Sequence, residues 1–178
     1  MLISNKHLRY CIEKADEIAD HFTATYIGSD DPVRSVDNLK ELCEKYLSVK
    51  ISTFVLPTVD SQSSAVLGMF VKKDGCYEIV VASGLNFCWS RFVLCKELFH
   101  VILDDEQFRN MDILSHVEEV TVAFPDVDSK PGNPVVVEAL AEFSAMEFLF
   151  PYKRRQQSLK AGRDIDFIAV AEMHKVPR

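Results

Sequence analysis

The sequence has 178 residues, of which 48% are hydrophobic and 26% charged, so it can bury one sizeable core but is short for two independent domains. We therefore expect a single domain over residues 1–178. A formal net charge of −7 and the absence of any long Lys/Arg run disfavour direct nucleic-acid binding. Charged residues interrupt the apolar runs well short of the roughly 18 residues that a membrane span needs, so no membrane segment is expected.

The first half of the chain has the periodicity of two amphipathic helices followed by strands. Residues 5–27 place apolar side chains at helical spacing, and residues 36–46 repeat that pattern after a segment dense in turn-forming residues. β-branched and aromatic residues then predict three strands, over 49–56, 65–72 and 76–82, the last two joined by the turn Lys73-Asp74-Gly75. Together these segments predict an α+β fold in which helices pack on a small, mainly antiparallel sheet.

Two later helices are predicted to hold the residues of a functional site, if the protein has one. Ser90 is placed to cap a helix that runs to about Leu103. Asn133-Pro134 supplies a cap and a first-turn proline for a second helix, which ends near Pro151. The polar segment 104–132 between the two helices is predicted to form a flap or rim over a site.

The C-terminal part offers fewer indications. Lys153-Arg154-Arg155 follows the predicted end of the second helix, where cations interact well with the macrodipole, so a solvated cap is favoured over a nucleic-acid patch. A last helical pattern over 164–176 is followed at once by Pro177-Arg178, which suggests a short or truncated C-terminus.

The five cysteines bear on the compartment. They are odd in number and scattered, with no C-x-x-C pair and no secretory segment ahead of them, which indicates a reducing, cytoplasmic environment. Cys95 adjoins the ionisable residues described next and could act as a thiol nucleophile. Its apolar surroundings favour a small buried side chain instead.

One cluster of ionisable residues interrupts the apolar helix, in the segment Lys96-Glu97-Leu98-Phe99-His100. At about 100° per residue, Lys96, Glu97 and His100 fall within an arc of roughly 100°. In an H-E-x-x-H helix two histidines one turn apart bind one zinc ion, and the glutamate takes a proton from the metal-bound water. Here Glu97 and His100 keep their places, whereas Lys96 stands where the first histidine belongs. A protonated lysine cannot ligate zinc, so the ligand set is one short.

Further ligands are expected from the segments that follow. On the second helix, Glu138 and Glu142 lie one turn apart, and Glu138 is the better candidate for a zinc ligand. His116, on the intervening segment, is the best histidine available as a substitute ligand. Zinc is therefore the one cofactor expected, and the altered site leaves open whether any is bound.

These two helices, with the hairpin before them, resemble the ImmA/IrrE family of zinc metallopeptidases over roughly residues 5–177. In that family the helices typically read R-F-T-x-A-H-E-x-G-H and approximately E-x-x-A-N-x-F-A-x-x-L-L-M-P. The residues of this sequence that match are Arg91, Phe92, Glu97, His100, Glu138, Ala141, Ala145, Glu147, Leu149 and Pro151. The departures are Lys96 for histidine, Phe99 for glycine, Glu142 for asparagine and Ser144 for phenylalanine.

The resemblance implies a cytoplasmic peptidase, often of phage or mobile-element origin, that cleaves or inactivates a helix-turn-helix repressor or an antitoxin-like partner. Because the first ligand position is altered, we expect a pseudo-peptidase that binds a regulatory protein. In that case Lys96 replaces the zinc cation and pairs with Glu138 or Glu97, or else extends into solvent. The alternative is an active zinc metalloendopeptidase, with Glu97 as general base, His100 and Glu138 as zinc ligands and Lys96 facing the developing oxyanion.

Overall fold

The computed structural model of the protein describes residues 5–26, 33–57, 67–73, 75–103, 134–160 and 166–177. Within these ranges, helices pack on a small three-stranded sheet, which confirms the expected α+β fold. None of the helices in the described ranges has the length and apolar character that a membrane crossing requires. The elements in chain order are α1 (Asn5–Thr25), α2 (Val36–Leu47), β1 (Lys50–Leu56), β2 (Gly68–Lys73), β3 (Cys76–Ala82), α3 (Phe87–Ile102), α4 (Pro134–Leu149), α5 (Tyr152–Lys160) and α6 (Phe167–His174).

The sheet has the strand order β1-β3-β2 and is mixed rather than mainly antiparallel. β2 and β3 form the expected antiparallel hairpin, with Phe70 opposite Ile79. β1 runs parallel to β3, with Thr53 opposite Ile79 on the other side. β2 therefore runs opposite in direction to both β1 and β3. The sequence predicts the hairpin, but it does not reveal that β3 lies in the middle.

One face of the sheet is covered by helices. Alternate residues of β3 point inward, and Tyr77, Ile79 and Val81 are buried. α2 and α3 pack on this side, and α4 packs in turn on α1 and α3. α3 therefore lies between the sheet and α4, which explains why its sequence is apolar on most sides.

Small residues set the distance between the packed elements around α3. Ala141 and Ala145 of α4 have no exposed surface, and their short side chains let this helix approach α3 closely. On the sheet side, a Cβ atom added to Gly68 would overlap Val93 and lie 3.0 Å from Glu97 Oε1. The backbone of β2 thus runs directly against α3 beside Glu97.

A buried arginine holds the C-terminal helix to α3. The Arg91 guanidinium donates hydrogen bonds to the backbone carbonyls of His174 at 3.1 Å and Lys175 at 2.9 Å, where α6 ends. It also donates to the carbonyl of Arg34 at 2.6 Å. Because Arg91 is 7% exposed, these charge-assisted bonds fix both segments against the first turns of α3.

The termini of the later helices differ in detail from those predicted. Asn86, not Ser90, caps α3, since its side chain accepts a hydrogen bond from the Trp89 backbone N–H at 3.0 Å. Ser90 lies in the first turn, where its backbone N–H donates to the Asn86 carbonyl at 2.8 Å. The helix starts early because β3 ends at Ala82 and only a short turn follows. α4 begins at Pro134 as predicted, whereas Asn133 lies outside the described residues.

The basic run Lys153-Arg154-Arg155 belongs to the short helix α5, which was not predicted. Arg155 donates to the Phe150 carbonyl at the end of α4 and pairs with Glu147 at 2.5 Å. The expected interaction of a cation with the helix end is therefore present, although it is made from within a further helix.

We expect Asn86→Ala to lower the free energy of unfolding by about 1 kcal/mol, because one backbone N–H of the first turn loses its acceptor. Ser90→Ala is the matched control and should change stability by less than about 0.5 kcal/mol. Urea unfolding followed by circular dichroism compares the two variants. A larger loss for Ser90→Ala would contradict the cap assignment.

Candidate functional site

The Lys96 side chain joins α3 to α4 through two carboxylates. Its ammonium Nζ lies 2.7 Å from Glu138 Oε2, to which it donates a hydrogen bond, and 3.2 Å from Glu97 Oε1. The Lys96 side chain is 19% exposed, so the ammonium is held between these groups rather than extended into solvent. Lys96 therefore contacts Glu97, its neighbour on the predicted helix stripe, and Glu138 on the facing helix.

His100 completes the cluster from one turn further along α3. Its Nε2 lies 3.1 Å from Glu138 Oε1, so Glu138 faces Lys96 with one oxygen and His100 with the other. The ring of Phe70, on β2, stacks on the imidazole with centroids 5.3 Å apart and planes 19° apart. Phe70 therefore covers one face of the imidazole.

Two buried polar atoms of the cluster are not fully satisfied. Glu97 is 2% exposed and His100 is 4% exposed. Glu97 Oε1 lies within ion-pair distance of Lys96, and His100 Nε2 lies within ion-pair distance of Glu138. Among the described residues, neither atom has a hydrogen-bond partner. Buried groups of this kind are costly, and they mark the place where the cluster could take a further ligand.

The electrostatics of the cluster favour a stable ion pair. Burial alone would lower the pKa of Lys96, but the nearby carboxylates of Glu97 and Glu138 outweigh it and raise that pKa. Partial burial would raise the pKa of Glu138, yet His100 and Lys96 outweigh it and lower the pKa to about 2. Burial also raises the pKa of Glu97, against the opposing effect of Lys96. Lys96 and Glu138 are therefore both charged near neutral pH.

The other candidate residues lie apart from this cluster. Glu142 is exposed on α4, one turn beyond Glu138. Cys95 has no exposed surface, and burial raises the pKa of its thiol, which argues against a nucleophile and agrees with the favoured interpretation. His116 and the predicted flap over 104–132 lie outside the described residues.

Two departures from the ImmA/IrrE pattern have a packing explanation. Phe99 is fully buried and packs against Phe148 of α4, with ring centroids 6.0 Å apart. Ser144 is also fully buried, and its hydroxyl donates a hydrogen bond of 3.3 Å to the Cys11 carbonyl of α1. Both residues hold α4 against its neighbouring helices. They support the position of Glu138 and contribute no group to the site.

The described residues do not fit a zinc ion. A catalytic zinc site has three protein ligands, whereas here His100 and Glu138 are the two candidates and an ammonium group lies against them. In the described part of the chain, no group of three or more His, Cys, Asp or Glu side chains could hold a metal. The Lys96 ammonium lies 2.7 Å from Glu138, one of these two candidate ligands.

Sequence reasoning missed the contribution of β2. The alternation of the strand predicts that Phe70 faces inward, but not that its ring stacks on His100. Gly68 was the available indication, because a glycine inside a strand often marks a close approach of the backbone.

Comparisons with known proteins find a similar fold but do not identify a family. No protein-family model matches the sequence, and no curated protein matches it either. A solved structure, described as a Mycobacterium tuberculosis transcriptional regulator, is similar with a TM-score of 0.51 and 14% sequence identity. The match covers 93% of this chain and 44% of the regulator, so the chain spans less than half of that protein's length. At this identity the likeness concerns the fold alone.

The ion pair predicts a defined pH dependence of stability. The pKa of Glu138 falls from an ordinary 4.5 to about 2 on folding. Its contribution should therefore be fully present above pH 4.5 and be lost as the pH falls towards 2. We expect Glu138→Gln to cost about 1 kcal/mol at pH 6, since the group is half exposed, and this cost should shrink steadily below pH 4.5.

Urea unfolding at pH 6, 4.5 and 3 measures the difference between the two proteins. Glu142→Gln is the control, an exposed glutamate on the same helix, and should cost less than about 0.5 kcal/mol at each pH. A Glu138→Gln cost that does not change with pH would refute the assignment.

Proposed function

We propose that this protein is a cytoplasmic, ImmA/IrrE-like pseudo-peptidase in which the Lys96 ammonium takes the place of the zinc ion. The observation that carries the proposal is the position of Lys96 Nζ, 2.7 Å from Glu138 Oε2 and 3.2 Å from Glu97 Oε1. In an H-E-x-x-H site, residues at these positions surround the metal and its water. A tethered cation at the same place supports descent from such a site.

The chemistry explains why the site could persist without hydrolysis. A carboxylate as buried as that of Glu97 is costly without a nearby cation, and Lys96 supplies one within the chain. An ammonium group can donate hydrogen bonds to water, but it has no vacant coordination position and so cannot lower the pKa of a water molecule as zinc does. The cluster thereby keeps its internal charge balance and loses the means to activate water.

A protein is the favoured partner. The net charge of −7 disfavours direct contact with nucleic acid, whereas the resemblance implies a repressor or an antitoxin-like protein. The similar M. tuberculosis protein is described as a transcriptional regulator, which is compatible with a role in controlling gene expression. The cytoplasmic placement is supported by five cysteines that are all free.

A second candidate function is that of an active zinc metalloendopeptidase with a non-standard ligand set. One observation favours it: Glu97 Oε1 and His100 Nε2 are buried and lack hydrogen-bond partners among the described residues. These are the positions of the general base and of a ligand in the H-E-x-x-H pattern. The two functions predict different metal contents for the purified protein.

Removing the internal cation should destabilise the fold. Lys96→Ala leaves Glu97 buried without its cation, and we expect a loss of about 3 kcal/mol in the free energy of unfolding. Adding Glu97→Gln to Lys96→Ala should recover part of this loss. Lys14→Ala is the control, because Lys14 also pairs with a glutamate at 2.8 Å but on the surface, and it should cost less than about 1 kcal/mol. Unchanged stability in Lys96→Ala would disprove the internal replacement of the metal.

Zinc stoichiometry separates the two functions. We expect far less than one zinc per chain in the native protein purified without chelator, and near-equimolar zinc in Lys96→His, which restores a nitrogen ligand one turn before His100. Elemental analysis measures both. Adding His100→Ala to Lys96→His should remove the metal again. Near-equimolar zinc in the native protein would overturn the pseudo-peptidase proposal. If neither protein binds zinc, the proposed descent from a metal site would lose its support.

A further inference from the structure

The second half of β1 is exposed on both faces of the sheet. Phe54 is 48% exposed and Leu56 53% exposed, on the face opposite the helices. Val55 is paired with the inward-facing Val81, yet it is 69% exposed, and Thr53 is exposed as well. The described helices, which cover the middle of the sheet, therefore leave this part of β1 open.

The hydrogen-bond ladder shows which backbone groups of β1 point to its free edge. The Ser83 backbone N–H donates to the Leu56 carbonyl at 2.9 Å, so Leu56 turns its backbone groups towards β3. Backbone groups alternate in direction along a strand, so Thr53 and Val55 turn theirs away from β3. In the described part of the chain, no strand lies on that side of β1.

The open stretch of this edge is bounded at both ends. On one side, the Ile51 N–H also points away from β3, but it donates to Glu44 Oε1 of α2 at 2.8 Å. On the other side, Pro57 follows β1 and has no N–H to donate. The free donors are therefore those of Thr53 and Val55. Such an edge is a template for one more strand, so its occupant is an extended polypeptide.

A second copy of this chain matches the open groups. In an antiparallel pair with a two-fold axis at Phe54, Thr53 of each copy lies opposite Val55 of the other. Opposite residues that turn their backbone groups towards each other exchange both N–H···O bonds, so these two residues are satisfied in both copies. The next such positions pair Ile51 with Pro57, where no donor remains. The match thus ends where the free donors end.

The side chains and charges of β1 are compatible with this pairing. Residues 51–57 carry no charge, so no like charges come to lie opposite each other. Phe54 faces its own counterpart in a non-hydrogen-bonded pair, where side chains approach most closely. The charged residues beside this stretch, Glu44, Lys50 and Glu78, lie roughly 20 Å or more from their counterparts, beyond a Debye length.

We propose that the protein forms a two-fold symmetric dimer in which β1 pairs with β1 of a second copy and joins the two sheets into one. The strand of a second copy is already held extended by β3, whereas a flexible segment of another protein would have to be ordered on binding. The contact is small beside a standard interface of roughly 1,600 Å², so the dimer is weak. It lies on the far side of β3 from Phe70 and His100 and does not depend on the proposed function.

Sedimentation equilibrium measures this association. We expect the native protein to be monomeric at about 1 µM and largely dimeric at about 500 µM, with a Kd on the order of 50 µM. Val55→Pro should abolish dimerisation, because it removes a donor from the free edge and none from the ladder with β3. Circular dichroism and urea unfolding check that the variant keeps its fold. A dimer that persists in folded Val55→Pro would overturn the inference.

Opposite charges at the axis test the register without a change to the backbone. Phe54→Asp and Phe54→Lys should each weaken dimerisation by about tenfold or more, because like charges then face each other across the axis. An equimolar mixture of the two variants should associate about tenfold more tightly than either variant alone, because aspartate then faces lysine. Equal association of the mixture and the separate variants would contradict the pairing at Phe54.

Met69→Asp is the matched control. Met69 is 47% exposed on β2, the described strand farthest from the paired edges, so its substitution should leave the dimer unchanged. A loss as large as that of Val55→Pro would place the contact on the face of the sheet and would overturn the inference. A native protein that stays monomeric at about 500 µM would also overturn it, and would leave a strand of another protein as the occupant of the edge.

Discussion

The burial of a carboxylate inside an apolar helix is the constraint on which the site depends. Glu97 lies between the sheet and α4 with 2% of its surface exposed, where an unpaired negative charge would be prohibitively costly. A nearby cation opposes the rise in the pKa of Glu97 that burial causes, and in this chain Lys96 provides that cation from the adjacent position. Glu138 then pairs with the same ammonium, so that one charge joins α3 to α4 and fixes the relation of the two helices.

This arrangement separates two roles that a metal ion would combine. A bound metal both neutralises the surrounding carboxylates and activates a substrate or water, whereas a lysine can do only the first. Under the proposed function, the fold around Lys96 accordingly keeps the charge balance of the cluster without the means to activate water. Phe70 and Gly68 fit this view, because they bring β2 against the cluster whatever ion or side chain balances its charge.

The parts of the structure that follow from local pattern were predictable, and those that follow from long-range pairing were not. Helical spacing placed Lys96 and His100 on one stripe, and the later glutamate helix pointed to Glu138. Strand order depends on which edges meet in the folded chain, so the parallel pairing of β1 with β3 had no counterpart in the sequence. Asn86 and Ser90 are both good cap residues. Asn86 is the cap because β3 ends at Ala82 and α3 begins after only a short turn. α5 lacks an apolar stripe that would reveal a helix in the sequence. The contact between its Arg155 and Glu147 of α4 forms only in the folded chain.

The central position of β3 has a consequence for how the chain folds as it is synthesised. Within the ranges that the structure describes, β1 and β2 are both edge strands, and each forms its backbone ladder with β3 alone. Until that strand leaves the ribosome, the segment around Phe54 has no partner in the sheet, although it is already available to solvent and to other chains. We therefore expect the sheet to form only after β3 has been synthesised, and nascent chains that stop before β3 to expose the edge of β1 to other chains.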